Sequence, residues 1–348
     1  VNRAFWGGRR VLLTGFTGFK GAWLALWLER LGADVVGLAL PPESADGAFA
    51  SMGPWPALGG HHVDLRDAEA VGRVVQEADA DVVFHLGAQA LVRRAWADPG
   101  ATYAINVVGT SNLLEAIARS RTPAAVVVVT SDKVYMSGDG LPPFSEGCPL
   151  GGADPYSASK ASAEHVVASW RHGHPRTRVA TARAGNVIGG GDIAEDRLLP
   201  DVWRALGHDQ AVRLRHPVST RPWQFVLEPL AGYLALAERL ATTTTTCPPA
   251  VNFGPHPDDC RPVGEVVDTV LRLWGMGSWV CDPGSHPPET SRLTLDSALA
   301  GQLLDWRPRL RLDEAVTWTI DWWRAARDGG NLRELATAQL TEYEARSA

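Results

Sequence analysis

The sequence predicts an α/β fold: a doubly wound parallel sheet with a smaller C-terminal lobe. Three observations predict it. Short β-branched or apolar runs alternate with helix-period segments through the first half of the chain. A glycine-rich turn follows the first run. Past residue 182 the texture changes, with Pro, Trp and Arg interrupting every pattern.

The elements follow in order. `RVLLTG` reads as the opening strand, and it runs into Thr14-Gly15-Phe16-Thr17-Gly18-Phe19-Lys20-Gly21 before the helical segment `AWLALWLERLG`. Glycines at 15, 18 and 21 allow a tight turn, close approach of a pyrophosphate to backbone N–H groups, and close packing of helix on strand. That context makes the sheet one of Rossmann type and makes Gly15, Thr17, Gly18, Phe19 and Gly21 dinucleotide-binding candidates. The second strand, `DVVGLAL`, ends without the acidic residue that often bonds the adenosine ribose, so the usual rule does not choose between NAD and NADP. In `HHVDLRD`, Asp64 and Leu65 stand where a third strand would end. They either receive the adenine ring, or an aspartate there (Asp64 or Asp67) caps the next helix. `DVVFHLG` is the fourth strand, with His85 read as a packed histidine. `INVVGTSNLLEAIARS`, `AAVVVVTS` and `DPYSASKAS` then read as helix, strand and helix. Because the strands are apolar on both faces, helices should cover both sides.

Residues 1–182 are expected to form the dinucleotide-binding domain. Residues 183–348 should be mainly a substrate-binding lobe interleaved with the last strands. The tract in `ATTTTTCPPA` reads as an exposed loop, and a short amphipathic helix is expected after Gly329-Gly330.

At 348 residues the chain suits about two domains, or one large domain with a lobe. A net charge of -6 with no long basic run leaves no electrostatic footprint for nucleic acid or an anionic membrane. The four cysteines are scattered without CxxC spacing, which argues against a disulfide framework and a zinc site, so no metal is expected. No N-terminal apolar run is long enough for a signal peptide or a spanning helix, and the expectation is a cytoplasmic protein.

Within `VVVVTSDKVY` a buried strand ends in Ser131, Asp132 and Lys133, and 25 residues beyond Ser131 stands Tyr156, with Lys160 four further on. On a helix those two share a face. An ammonium beside the phenol should lower the tyrosine pKa, as a tyrosine base requires. Ser131, Tyr156 and Lys160 therefore read as a catalytic triad, with Tyr156 and Lys160 also touching the cofactor. Ligands bind outside the carboxyl ends of parallel strands, which puts Asp132 and Lys133 where a substrate would sit; the alternative is an ordinary strand-end ion pair. Asn186 and Arg221 are candidates for holding an anionic substrate, the latter by fork geometry, unless Arg221 is a surface residue stacked on Trp223. Gln89, Arg93 and Asn106 are second-rank substrate candidates.

The glycine turn, the serine and the Tyr-x-x-x-Lys pair in this order resemble the extended short-chain dehydrogenase/reductase superfamily. `WGGRRVLLTGFTGFKGAWLALWL`, `TSDKVY`, `DPYSASK`, `RAGNVIGGGD`, `RPWQFVLEPLAGYL` and `NFGP` resemble more specifically the CDP-glucose 4,6-dehydratases, over nearly the whole chain. The resemblance implies NAD as cofactor and a nucleotide-sugar substrate. It also implies a homodimer packed through the helices around Ile105–Ser120 and Ser157–Trp170. By the same resemblance Asp132 is the acid for the departing C6 hydroxyl, and Lys133 stands where related dehydratases carry a glutamate base. The alternative within the superfamily is an NAD-dependent nucleotide-sugar epimerase, or a dehydratase of another nucleotide sugar. The chain departs from the family pattern in `MSGDGLPPFSEGCPLGG` and at Ile193, both beside the expected sugar pocket.

Overall fold

The computed structural model describes residues 1–346 apart from 121–124, 137, 139–140, 176, 244–246 and 285–289. The middle of the threonine tract, and 137, 139 and 140 in the segment after `TSDKVY`, lie outside the described residues.

Seven parallel strands form the main sheet: β1 (Arg10–Thr14), β2 (Asp34–Ala39), β3 (Leu58–His62), β4 (Val82–His85), β5 (Ala125–Val129), β6 (Arg178–Ala184) and β7 (Ala250–Phe253). Their order is 7-6-5-4-1-2-3. The chain reverses direction between β1 and β4, and the crevice at such a switch point is where ligands enter open α/β sheets.

The period of two along each strand feeds two cores. Val127 and Val129 of β5 join Val11, Leu13 and Phe84 on one face. Val126 and Val128 join Leu12 and Val83 on the other. On the first face lie the helices Phe19–Leu31 and Leu227–Thr242, and on the second Ala68–Ala78, Gly109–Ala118 and Pro155–Gly173. Each valine of β5 is fully or almost fully buried, which contributes about 1.5–3 kcal/mol per side chain. The run `VVVV` is therefore what nails the middle of the sheet and fixes where its polar end emerges.

Beyond the carboxyl end of β6 the chain leaves the sheet. Asn186–Ile188 pairs parallel with Thr220–Phe225, which pairs antiparallel with Cys260–Pro262. A two-stranded pair, Val212–Leu214 with Trp279–Cys281, lies further out. β7 returns to the main sheet from this second half, and the C-terminal helix Leu332–Ala345 follows Gly329-Gly330. The helix Leu227–Thr242 runs into the threonine tract, so the first of those threonines is helical.

Candidate active site

The glycine turn owes its shape to steric exclusion. Gly15 has φ of +72°, and a Cβ there would lie 2.7 Å from the Gly87 backbone nitrogen; a Cβ on Gly21 would lie 2.0 Å from the Gly15 carbonyl oxygen. Only glycine fits at either place. Thr17 Oγ1 donates to the Leu40 carbonyl at 2.9 Å, tying the turn to the chain beyond β2. Gly18 caps the helix Phe19–Leu31 with no side-chain acceptor and no acid in the first turn. The orphan N–H groups and the positive end of the dipole are thus left for an anion. This donor set fits the pyrophosphate of a dinucleotide. Phe19 stands half-buried at the helix entry, and Leu65 is buried where a Cβ on Gly87 or Gly109 would strike it at 2.9 and 2.8 Å.

Asp64 does not cap the following helix. Its carboxylate forks onto Arg66, which holds it below the usual carboxylate range. Asp67 is the cap, accepting from Ala70 N at 2.9 Å.

At the end of β5, Ser131 caps a single turn of 3-10 helix, Asp132–Val134, and accepts from Lys133 N at 3.2 Å. The Ser131 hydroxyl donates to Asp132 Oδ1 at 3.0 Å. Across from it, Asp154 and Pro155 start the long helix, Asp154 accepting from Ser157 N at 3.0 Å. Tyr156 and Lys160 follow on one face of that helix, both buried. The Lys160 ammonium donates to the Val129 carbonyl at 3.1 Å, so the last valine of β5 holds it.

One electrostatic expectation is corrected. Burial holds the Tyr156 phenol above its usual range, opposed by the hydrogen bond with Ser131 and by the charge of Arg197. Burial brings Lys160 down to about 8, with the charge of Glu164 opposing. Asp132 is held above the carboxylate range by burial, against the pull of Lys133, Ser131 and Arg221. Its Oδ2 is buried and has no partner. Asp132 and Lys133 therefore do not form the strand-end ion pair that their adjacency allowed: one carboxylate oxygen binds Ser131, and the other is bare. Room for that bare oxygen depends on Gly185, where a Cβ would come within 2.9 Å of it and 2.5 Å of Pro222 Cγ.

The substrate candidates separate into two groups. Arg221 is 5% exposed and sits close enough to Asp132 to act on its charge, so it is not a surface arginine; its Nη1 donates to the Thr220 carbonyl at 2.9 Å. Asn186 opens the short strand paired with Trp223, immediately past Gly185. Gln89 and Asn106, by contrast, spend their amides on the protein. Asn106 donates to the Gln89 carbonyl and to Ser159 Oγ, both at 2.9 Å, and accepts from Gln89 N at 2.8 Å. The Gln89 amide serves Leu91 and Thr102. Since Ser159 Oγ donates in turn to the Tyr156 carbonyl at 2.7 Å, this network braces the tyrosine's helix. Asn106 lies in a π-helical turn, Ala104–Val108, whose widened ring turns it inward. Arg93 pairs with Asp196 at 2.7 Å, half-exposed.

Three neighbours of the triad were not read from the sequence. Arg197 pairs with Asp192 at 3.1 Å and acts on Tyr156. Tyr233, fully buried, points its hydroxyl at Lys20 Nζ, 3.5 Å away. Lys20 sits inside the glycine turn, and burial with the charges of Arg197 and Lys160 brings it down to about 7. The lysine inside `GFKG` was the one available signal, a charge in a motif that does not need one. Arg197 and Tyr233 carry no local signal.

The model of the NAD dependent epimerase/dehydratase family matches residues 11–252. The CDP-glucose 4,6-dehydratase of Salmonella typhimurium is 40% identical over 352 residues, covering 99% of this chain and 98% of that one. Among solved structures, a dTDP-glucose 4,6-dehydratase from Streptomyces venezuelae with NAD bound superposes with a TM-score of 0.80 at 24% identity, covering 93% of this chain and 99% of that one. A UDP-glucuronic acid 4-epimerase from Bacillus cereus, in complex with UDP-glucuronic acid and NAD, gives 0.80 at 20% identity, over 91% and 99%. Below 25% identity these two speak for the fold alone. The chain belongs to the NAD dependent epimerase/dehydratase family.

Proposed function

We propose that the chain is an NAD-dependent CDP-glucose 4,6-dehydratase, which converts its substrate to the 4-keto-6-deoxy sugar with no net redox change. The observation that carries dehydration over epimerisation is the bare, buried Oδ2 of Asp132 beside Ser131 and Tyr156. An epimerase needs only the triad. A dehydratase also needs an acid at C6, and burial raises the pKa of the Asp132 carboxyl, the direction an acid requires. The near-full-length likeness to a CDP-glucose 4,6-dehydratase supports the same substrate.

NAD, when bound, supplies the acceptor for the C4 hydride and later its donor to C6. Gly15, Thr17, Gly18, Phe19 and Gly21 would hold its pyrophosphate half, with Asp64 and Leu65 toward the adenosine. Tyr156 takes the C4 hydroxyl proton, Ser131 steadies that oxygen, and Lys160 holds the ribose beside them. Lys133 removes the C5 proton, Asp132 protonates the departing C6 hydroxyl, and water leaves. Burial raises the Tyr156 phenol, so its activation as a base falls to Arg197 and to whatever the bound cofactor adds. Asn186 and Arg221 hold the sugar nucleotide with Arg93 at its rim; Gln89 and Asn106 are positioning residues.

The same reading takes residues 1–182 as the dinucleotide-binding domain and 183–348 as mainly the sugar-nucleotide lobe. It takes the assembly as a cytoplasmic homodimer through the helices near Ile105–Ser120 and Ser157–Trp170. Among the described residues no helix is long and apolar enough to cross a membrane, and no His, Cys, Asp and Glu cluster is set to hold a metal.

The test is incubation with CDP-glucose and NAD, followed by mass spectrometry and absorbance at 340 nm. The reading requires loss of one water from the sugar nucleotide without build-up of reduced cofactor. A product of unchanged mass would make the chain an epimerase. Turnover only with another nucleotide sugar would overturn the substrate.

A further inference from the structure

We infer that Tyr135 is a positioning residue for the elimination step: its hydroxyl, tied through Arg183 to Glu164, holds the far end of the turn that carries Asp132 and Lys133 in register with the helix that carries Tyr156 and Lys160. The inference rests on the reading above, that Asp132 and Lys133 take water from the oxidised sugar.

The two ends of that turn are held differently. The near end belongs to the sheet: Thr130 N donates to the Ala182 carbonyl at 3.0 Å, and Ser131 follows at once. The far end has left the sheet. Val134 N reaches back to the Ser131 carbonyl at 3.4 Å. Beyond it the chain pairs with the loop around Leu150, Gly151 N donating to the Val134 carbonyl at 2.8 Å and Met136 N to the Pro149 carbonyl at 2.9 Å. Asp132 and Lys133 lie between the two ends, so their aim depends on what fixes Tyr135.

Tyr135 is fixed from several sides. It is buried, and its ring stacks on Phe144 with centroids 5.0 Å apart and planes 8° from parallel. The Arg183 guanidinium carbon lies 5.0 Å from the centre of the same ring. The hydroxyl accepts from Arg183 Nη1 at 2.9 Å and donates to Asn252 Oδ1 at 2.7 Å. Asn252, fully buried in β7, is itself locked, its amide nitrogen donating to the Phe144 and Asp296 carbonyls at 2.9 and 3.1 Å. A phenol with both its donor and its acceptor directed in this way has one allowed position.

Register with the other catalytic segment comes through Glu164. Tyr156, Lys160 and Glu164 recur every four residues along Pro155–Gly173 and share a face of that helix. The Glu164 carboxylate accepts from Arg183 Nε and Nη2, while Nη1 of the same guanidinium serves Tyr135. One rigid planar group thus joins the helix of Tyr156 to the far end of the turn. Elimination is the step this geometry governs. It needs Asp132 at C6 and Lys133 at C5 of one sugar ring together, and misplacing a group by about 1 Å can cost about 10²-fold. Oxidation at C4 uses Ser131, next to the sheet, and Tyr156, on the helix, so it tolerates a loosened far end.

The experiment reads the two steps apart in the NAD-loaded enzyme. Oxidation is followed at 340 nm with the 6-deoxy analogue of CDP-glucose, which has no C6 hydroxyl to lose, and elimination by mass spectrometry of water loss from CDP-glucose. Tyr135→Phe keeps the ring and the Glu164–Arg183 pair, and Arg183 Nη1 keeps the Glu146 carbonyl. Its oxidation should stay within about twofold of wild type while water loss slows by about tenfold or more, and reduced cofactor should build up with CDP-glucose. Arg183→Lys, which keeps a cation against Glu164 but has no fork to share with Tyr135, should show the same split. Thr181→Val removes a bond to the same carboxylate from a strand outside the turn, and its two steps should keep their wild-type proportion. The inference is overturned if Tyr135→Phe slows both steps in equal proportion or neither, or if Thr181→Val reproduces the split, the mark of a lesion in packing. Should Tyr135→Phe fail to fold, the same criteria apply to Arg183→Lys. Failure of wild type to release water from CDP-glucose would instead sink the dehydratase reading, and this inference with it.

Discussion

Two buried charge clusters share the helix Pro155–Gly173, and they are finished in opposite ways. Around Glu164 every bond is made. Its carboxylate accepts from Arg183 Nε at 2.9 Å and Nη2 at 2.7 Å, from Thr130 Oγ1 at 2.5 Å and from Thr181 Oγ1 at 2.8 Å. Arg183 completes its fork on Tyr135 Oη at 2.9 Å, and both charged side chains are 5% exposed or less. Two turns earlier, around Tyr156, the chain leaves a bare carboxylate oxygen on Asp132 and, among the described residues, a half-buried Lys20 with one long hydrogen bond. Desolvated charge costs the same free energy in either place, and only the first cluster offsets it within the chain. A buried polar group left open next to a fully closed one marks where something else is to bind.

The largest effect that probes this contrast belongs to the open cluster. Tyr156→Phe removes the hydroxyl proposed to take the C4 proton, and turnover should fall by about 10³-fold, within the usual range for a positioned acid or base. Urea melts should match wild type. A small rate loss would move the base elsewhere.

Next comes the closed cluster. Arg183→Met strands the Glu164 carboxylate in the core and should cost about 3–5 kcal/mol in urea unfolding, the scale for breaking one half of a buried pair. If stability hardly changes, the two clusters are not as different as their bonding suggests.

Asp132→Asn sharpens the distinction further. It removes a carboxyl that is already uncompensated, so stability should be kept while dehydration slows by about 10²-fold. The slowing should be much smaller for a substrate with fluoride at C6, a leaving group that needs less help. Equal slowing of both substrates would mean a structural lesion.

The smallest effect is at the wall. Gly185→Ala drives a Cβ toward Asp132 Oδ2 and Pro222 Cγ, and overpacking of this kind costs about 1–3 kcal/mol. Its rate loss should follow Asp132→Asn in sparing the fluoride substrate, because the contact displaces the same oxygen. Unperturbed kinetics would show that the oxygen has room to give.

Local features were legible in advance. The strand-turn-helix around Gly15, the four-residue spacing of Tyr156 and Lys160, and the polar end of `VVVV` each lie within a few residues of one another, so backbone sterics and periodicity suffice to place them. Distant partners decided what local sequence left open. Asp64 and Asp67 looked alike as caps, and the choice fell to Arg66, which claims Asp64. Gln89 and Asn106 looked like amides free for a substrate, until a π-helical turn brought them onto each other and onto Ser159. The pKa of Tyr156 was expected to fall because Lys160 is its helical neighbour, but the Val129 carbonyl holds that ammonium and burial sets the direction.

The sequence by itself determined the α/β class, the glycine turn and the order of chemistry-bearing residues, because covalent spacing and side-chain period act over a single turn or strand. Only the tertiary structure decided the electrostatics of the site. Lys20, Arg197 and Tyr233 come from three separate segments and converge on Tyr156 and Asp132, Tyr233 fully buried and the two cations partly so. Desolvation and charge coupling depend on distances through space and on the exclusion of water, and neither has a counterpart in separation along the chain.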